Sequence, residues 1–273
     1  MDDPSAPAPY YRGTRFDRTG IVTNLVSGDH SYVSQWFRNY DPYMHDAVSG
    51  PSEEFLPVFL SPVETLKIGV GVLRQDEKPY DRFRLYDIKD KGSLSIETAP
   101  DKASFRHRIN GIYDYRKTVR ISERGELQIS HELCNELPHT LETYVYCHNF
   151  FILDGARTGR ATSFEFPFRP AGSWRSDYDS VRLSGNGIEF ARDLGPDETV
   201  FMGNLKPSPG SGIFRSFVLS NLDNGKEVRS EWDRDAEYAV FWSNSEVSCI
   251  EPYIPLKIAT GETRSWTLTF RFG

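Results

Sequence analysis

Residues 142–155 read ETYVYCHNFFILDG, and this stretch decides how the fold is read. β-Branched and aromatic residues dominate it, Pro is missing, and Asp154-Gly155 closes it with a turn signal. A strand has a side-chain period of two. Tyr144, Tyr146, His148 and Phe150 therefore share one face, and Thr143, Val145, Cys147 and Phe151 fall on the other. A histidine is thus projected among aromatic rings from a rigid element, as suits a proton donor in a pocket for a ring-shaped substrate. A lone histidine on a strand is more often a hydrogen-bonded core or surface residue, and that role stands beside the catalytic one.

Outward from this strand, short β-favouring runs recur between turn signals, and no stretch holds a helical period. Strands are expected over Gly20–Ser27, Leu66–Leu73, Tyr115–Ser122, Glu126–Leu133, Glu142–Leu153, Gly212–Ser220, Tyr238–Ser243 and Ser265–Phe272. In the last, Trp266, Leu268, Phe270 and Phe272 alternate with Thr267, Thr269 and Arg271, a half-buried pattern. Leu127, Ile129, His131 and Leu133 share a face, which gives His131 a structural role, and Ser122–Gly125 reads as a hairpin turn. Residues 170–179 and 206–211 read as loops. Many strands without helices imply a sandwich or barrel. No repeat or low-complexity linker divides the chain, so residues 1–9 are expected to form a loose tail and residues 10–273 a single domain.

Composition narrows the function. Charged residues make up 26% and hydrophobic residues 38% of the 273 positions, an ordinary globular balance. A net charge of −7 argues against a nucleic-acid or anionic-membrane binder. No apolar run approaches the roughly 20 residues that span a bilayer. The opening MDDPSAPAPYYRG lacks the basic and apolar regions of a secretory signal, and a cytoplasmic setting is expected. Cys134, Cys147 and Cys249 are odd in number and lack CxxC spacing, so neither a disulfide framework nor a zinc site is indicated.

The N-terminal half concentrates charge beside aromatic rings: Arg12-Gly-Thr-Arg15-Phe-Asp17 after Tyr10 and Tyr11, then Gln35-Trp36-Phe37-Arg38-Asn39-Tyr40-Asp41, then Gly50-Pro51-Ser52-Glu53-Glu54-Phe55. Ring faces cover the C–H face of a sugar, while forked donors and carboxylates read its hydroxyls. Arg15, Trp36 and Tyr146 are the substrate-binding candidates. Tryptophan and tyrosine also populate any β core, and arginine–aspartate pairs commonly tie loops down. His45, Glu53, Glu54 and His107 offer metal-ligand chemistry without a recognised spacing, so no metal is assigned.

His148–Leu153, HNFFIL, resembles the His-x-Tyr-Phe-Asn-Leu segment of the galactose mutarotase (aldose 1-epimerase) superfamily, whose histidine is the catalytic acid. Cys249-Ile250-Glu251-Pro252-Tyr253 resembles the family's Glu-Pro or Glu-Thr segment, which holds the base, and Gly261-Glu262 resembles its closing Gly-Glu. The resemblance implies an all-β fold, a β-supersandwich of large antiparallel sheets with a cleft on the concave sheet. It also implies His148 as acid, Glu251 as base, a sugar or sugar-derived ligand, and no cofactor. Phe105-Arg106-His107-Arg108 stands where the family has a second histidine, which makes Arg106 and His107 substrate-binding candidates, although the surrounding motif is absent. Asp177 and Asp179 are the candidates for the family's aspartate. The Arg-Gly-Thr-Arg-Phe-Asp and Gly-Pro-x-Glu-Glu-Phe segments resemble a poorly characterised mutarotase-like branch.

Anomer interconversion needs a base for the C1 hydroxyl proton and an acid for the ring oxygen, roles that a carboxylate and a histidine fit. Arg15 or Arg106 would stabilise charge on oxygen. Two other classes compete. One is a lyase or hydrolase on an oxidised or acidic sugar, favoured by the surplus of Arg12, Arg15, Lys67 and Arg106. The other is a non-catalytic carbohydrate-binding module, because fold alone confers no chemistry.

Overall fold

The alternation expected of the last strand is present in the computed structural model, which describes residues 10–76 and 78–273. Over Thr263–Phe272, Trp266, Leu268 and Phe270 are buried while Thr267, Thr269 and Arg271 are not. The tail expected over residues 1–9 lies outside the described residues. No α-helix occurs among the described residues, and none of them forms a helix long and apolar enough to cross a membrane.

Antiparallel pairing builds two large sheets. A ten-stranded sheet runs Val181–Ser184, Gly187–Phe190, Thr162–Glu165, Ser216–Asn221, Lys226–Trp232, Thr263–Phe272, Leu127–Asn135, Tyr113–Ile121, Lys102–Ile109, Ser93–Ala99. A six-stranded sheet runs Pro170–Trp174, Thr199–Pro207, Tyr238–Asn244, Ser248–Ile258, Leu141–Phe150, Gly50–Phe55. A four-stranded sheet (Val58–Ser61, Glu64–Lys67, Gly71–Arg74, Ile88–Asp90) and the hairpin Leu25–Ser27 with His30–Val33 complete the architecture.

One face of each large sheet meets the other in a continuous core. Ile129, Leu133, Trp266 and Leu268 come from the ten-stranded sheet, and Val145, Phe241, Ile250 and Ile254 from the six-stranded sheet. Ring contacts cross between the sheets, as in Phe55–Trp266 and Phe164–Phe241. Burying each such side chain is worth about 1.5–3 kcal/mol. The opposite face of the six-stranded sheet is covered by the N-terminal segment, where Tyr11, Phe16, Ile21 and Val48 pack on Phe150 and Cys249. The β-sandwich expected from the sequence is the fold observed.

Several element boundaries differ from expectation. Residues 66–73 form a tight hairpin rather than one strand, because Gly69 turns at φ 76° and a side chain there would strike Asp17 Oδ1 at 2.0 Å. Only Leu25–Ser27 of the stretch from Gly20 onward is a strand, the chain leaving extended geometry at Gly20 with φ 63°. Pro170–Trp174, read as loop, is the edge strand of the six-stranded sheet, where a proline's missing N–H costs no ladder bond. The turn at Ser122–Gly125 is as expected, with Gly125 N–H donating to Ser122 O.

Candidate functional site

Register assembles the site. Leu141–Phe150 pairs with Ser248–Ile258 so that Tyr146 faces Tyr253, and the bridge Phe151–Ser248 keeps the same register. Two residues beyond Tyr146 that register sets His148 opposite Glu251, and His148 Nδ1 lies 3.1 Å from Glu251 Oε1. On the other flank Tyr146 faces Glu54 of Gly50–Phe55. One strand further, Val240 faces Glu251 and Trp242 faces Cys249. Alternation therefore gathers Glu54, Tyr146, His148, Phe150, Glu251, Tyr253 and Trp242 on the face turned away from the core.

His148, Phe150, Glu251, Tyr253 and Trp242 of this face line a pocket of about 360 Å³, together with Phe201 and, from the covering loops, Trp36 and Phe83. His148 stacks on Phe150 at 4.9 Å between centroids, and Phe16 meets it edge-on at 5.0 Å. A cleft is expected on this face, yet His148 is only 4% exposed within it, because Phe16 and Arg15 cover it from the N-terminal segment.

Arg15 organises the charges. Its Nε donates to Glu54 Oε2 at 2.6 Å, and its Nη2 reaches His148 Nε2 at 2.8 Å. A guanidinium can only donate, so Nε2 accepts and the imidazole proton sits on Nδ1, facing Glu251. Glu54 also receives Lys67 Nζ at 3.0 Å and the Tyr146 hydroxyl. Arg82 Nη1 donates to that hydroxyl at 2.7 Å. Burial alone would raise Glu54, but Lys67, then Arg15 and Arg82, outweigh it and hold its carboxyl far below the usual range. Burial draws Lys67 down to about 8.

The His148–Glu251 pair is shifted the other way. Burial pushes Glu251 up to about 7, and Arg15 only partly offsets it. Burial also pushes His148 well below its ordinary value, and the Arg15 charge adds to that. At neutral pH the imidazole is therefore uncharged, and Glu251 is the group poised between its two protonation states.

Cys249 completes the cluster, with Sγ 3.5 Å from Glu251 Oε1 and 3.9 Å from His148 Nδ1. These separations suit the edges of a tetrahedral metal site. The hydrogen bond from Arg15 argues against that use, because it leaves the proton on Nδ1, the nitrogen that would have to ligate. The set His45, Glu53, Glu54 and His107 does not converge. Glu53 and Glu54 point to opposite faces of one strand, and His107 bonds Lys91 O and Tyr113 within the ten-stranded sheet and its margin.

Of the sequence candidates, Arg15, Trp36, His148 and Glu251 line the pocket, and Tyr146 lies beneath it as a partner of Glu54 and Arg82. Arg106 and His107 do not: Arg106 is paired with Asp114 on the ten-stranded sheet. Asp177 and Asp179 are also absent from the lining, and Asp179 is bound to Arg192 at 2.6 Å. Sequence reasoning missed Arg82, Phe83, Arg175, Phe201 and Trp242. The alternation in Tyr238–Asn244 could have found Trp242; nothing in the loops marked Arg82 or Arg175.

The sequence matches no protein-family model and no curated protein. Solved structures do share its fold. The Slr1438 protein from Synechocystis sp. PCC 6803 matches with a TM-score of 0.58 at 12% identity, over 94% of this chain and 90% of that one. A galactose mutarotase-like protein from Clostridium acetobutylicum matches with a TM-score of 0.52 at 14% identity, over 89% and 86% of the two chains. The fold implied by the sequence resemblance is thus the fold found: this chain has a galactose mutarotase-like β-sandwich.

Proposed function

We propose that this protein interconverts the anomers of a sugar by acid–base catalysis, with Glu251 as base and His148 as acid. Its support is the 3.1 Å approach of His148 Nδ1 to Glu251 Oε1 inside an aromatic-walled pocket. Ring opening removes the proton from the C1 hydroxyl and delivers one to the ring oxygen. Those two oxygens share one carbon, so an acid and a base this close address both at once. Glu251, near 7, is ionised in a large fraction of molecules at neutral pH and basic enough to take the hydroxyl proton. His148 serves as a neutral donor through Nδ1–H. Arg15 against Nε2 stabilises the negative charge that grows on the imidazole as that proton leaves. The C1–C2 bond then turns, the ring oxygen returns its proton to Nδ1 as it attacks the carbonyl, and Glu251 gives its proton to the C1 oxygen. No net proton is gained or lost.

The test is NMR exchange between anomers over several aldoses. His148→Ala and Glu251→Gln should each slow exchange by about 10²- to 10⁴-fold. Because the imidazole stays neutral, kcat/KM should fall about tenfold per pH unit below about 7, as Glu251 takes up its proton, and level off above rather than form a bell. Sugar binding without accelerated exchange would overturn the catalytic reading and leave a binding module.

A further inference from the structure

We infer that the sugar entering this pocket carries an anionic substituent, a carboxylate or a phosphate, held at the rim by Arg175 with Arg82. This deepens the acid–base reading of the same pocket and rests on it. Arg15, Arg82 and Arg175 line the cavity, against the carboxylates of Asp46 and Glu251. Behind them Glu54 alone faces three cations: Arg15, Lys67 and, at 3.9 Å, Arg82. One carboxylate cannot neutralise three cations, so positive charge remains on this side of the pocket. With Arg175 there are four cations, against the three carboxylates Glu54, Glu251 and Asp46 even when all three are ionised. This local excess lies in a protein whose net charge is −7, so it does not follow from composition.

Arg15 is not the anion's partner. It is 8% exposed and already committed to Glu54 and His148. Arg175 is. It is exposed, it has no ion-pair partner among the described residues, and its guanidinium lies 3.9 Å from the Phe201 ring centroid. Stacking on that ring fixes the plane of the guanidinium before a ligand arrives, so little rotamer freedom is lost on binding. Phe201 faces Trp242 on the neighbouring strand, and Trp242 in turn faces Cys249, next to the proton-transfer pair. Arg175 thus sits on the same aromatic wall that would receive the sugar ring. A planar fork of donors suits two oxygens of a carboxylate or a phosphate, whereas a neutral hydroxyl satisfies only one of them.

Calorimetric titration with glucose, glucuronate and glucose 6-phosphate, at low and high salt, tests this without relying on turnover. At least one acidic sugar should bind about tenfold or more tightly than glucose, with the preference shrinking in high salt. Arg175→Gln should cut that preference to about threefold or less. Arg124→Gln, in the hairpin turn of the ten-stranded sheet, should leave it intact. The tighter of the two acidic arms separates carboxylate from phosphate. Equal binding of all three sugars, binding of none, or a preference that survives Arg175→Gln would overturn the anion site. Preferential binding without anomer exchange would keep the site and defeat the acid–base reading.

Discussion

Glu53 and Glu251 are buried almost equally, at 1% and 5% exposure, yet one is held at about 2 and the other at about 7, on either side of an ordinary glutamate. Burial pushes both upward, so the difference lies in their partners. Glu53 points into the core, where it binds Lys117 Nζ and lies 3.2 Å from His131 Nε2. Lys117 also reaches Asp17 at 3.4 Å, and Asp17 is closed by Tyr115 at 3.0 Å and Thr19 at 2.7 Å. His131 is clamped between Trp266 and Tyr115 by stacking. Every carboxylate in that cluster meets a cation or a donor. Among the described residues, Glu251 has the imidazole and a thiol beside it, with Arg15 one residue removed. A buried carboxylate keeps a raised pKa when its cation is spent elsewhere, here on Glu54.

The comparison breaks most visibly at the core cluster. Lys117→Met leaves Glu53 and Asp17 buried without their cation and should cost about 3–5 kcal/mol, read by urea unfolding. Adding Glu53→Gln should recover part of that loss; a double variant as unstable as the single would mean the ion pair is not what Lys117 supplies.

At Glu251 the sign reverses. Its pKa is raised, so the folded protein holds this proton more tightly than the unfolded chain, and ionising it costs stability as pH rises from the ordinary value toward 7 and above. Glu251→Gln should therefore stabilise the fold by about 1–3 kcal/mol at pH 8, and by little at pH 4.5, while slowing exchange by about 10²- to 10⁴-fold. A drop in melting temperature at pH 8 would show that the carboxylate is structural. Glu53, being depressed, should behave oppositely: its contribution is complete above the ordinary glutamate value and lost as pH falls toward 2.

The smallest effect sharpens the contrast. Arg15→Lys cannot hold Glu54 and His148 together, and should cost about 1.5 kcal/mol, roughly tenfold, in kcat. KM for a neutral sugar should move little, since Arg15 is bound to protein groups rather than turned to the ligand. An effect confined to KM would place Arg15 on the substrate instead.

Much of this is legible in the sequence. The alternation around His148 set its face, and the segment resembling the mutarotase base supplied Glu251; pairing of their strands then needed only the correct register. What remained hidden has physical reasons. Arg82 and Arg175 lie outside periodic segments, so no pattern pointed them anywhere. Arg106 and His107 lie in a strand that alternates as cleanly as the site strands, but in the other sheet, and periodicity cannot tell one sheet from another. The turn at Gly69 was missed because Leu66–Leu73 is apolar throughout save Lys67, and the glycine is required by the approach of Asp17, a contact remote in sequence.

Glu53 and Glu54 are adjacent and identical, one serving the core and the other the pocket. Sliding their strand by a single residue along Leu141–Phe150 would still present a glutamate to each side, so this pair cannot proofread its own alignment. Its neighbours must do so. Phe55, fully buried against Tyr115 and Trp266, would be expelled from the core by such a slip. Gly50, at φ 60° with Val22 O 2.8 Å from where a Cβ would stand, tolerates no replacement by its successor Pro51. Fidelity of both charge clusters is thus delegated to two residues that carry no charge.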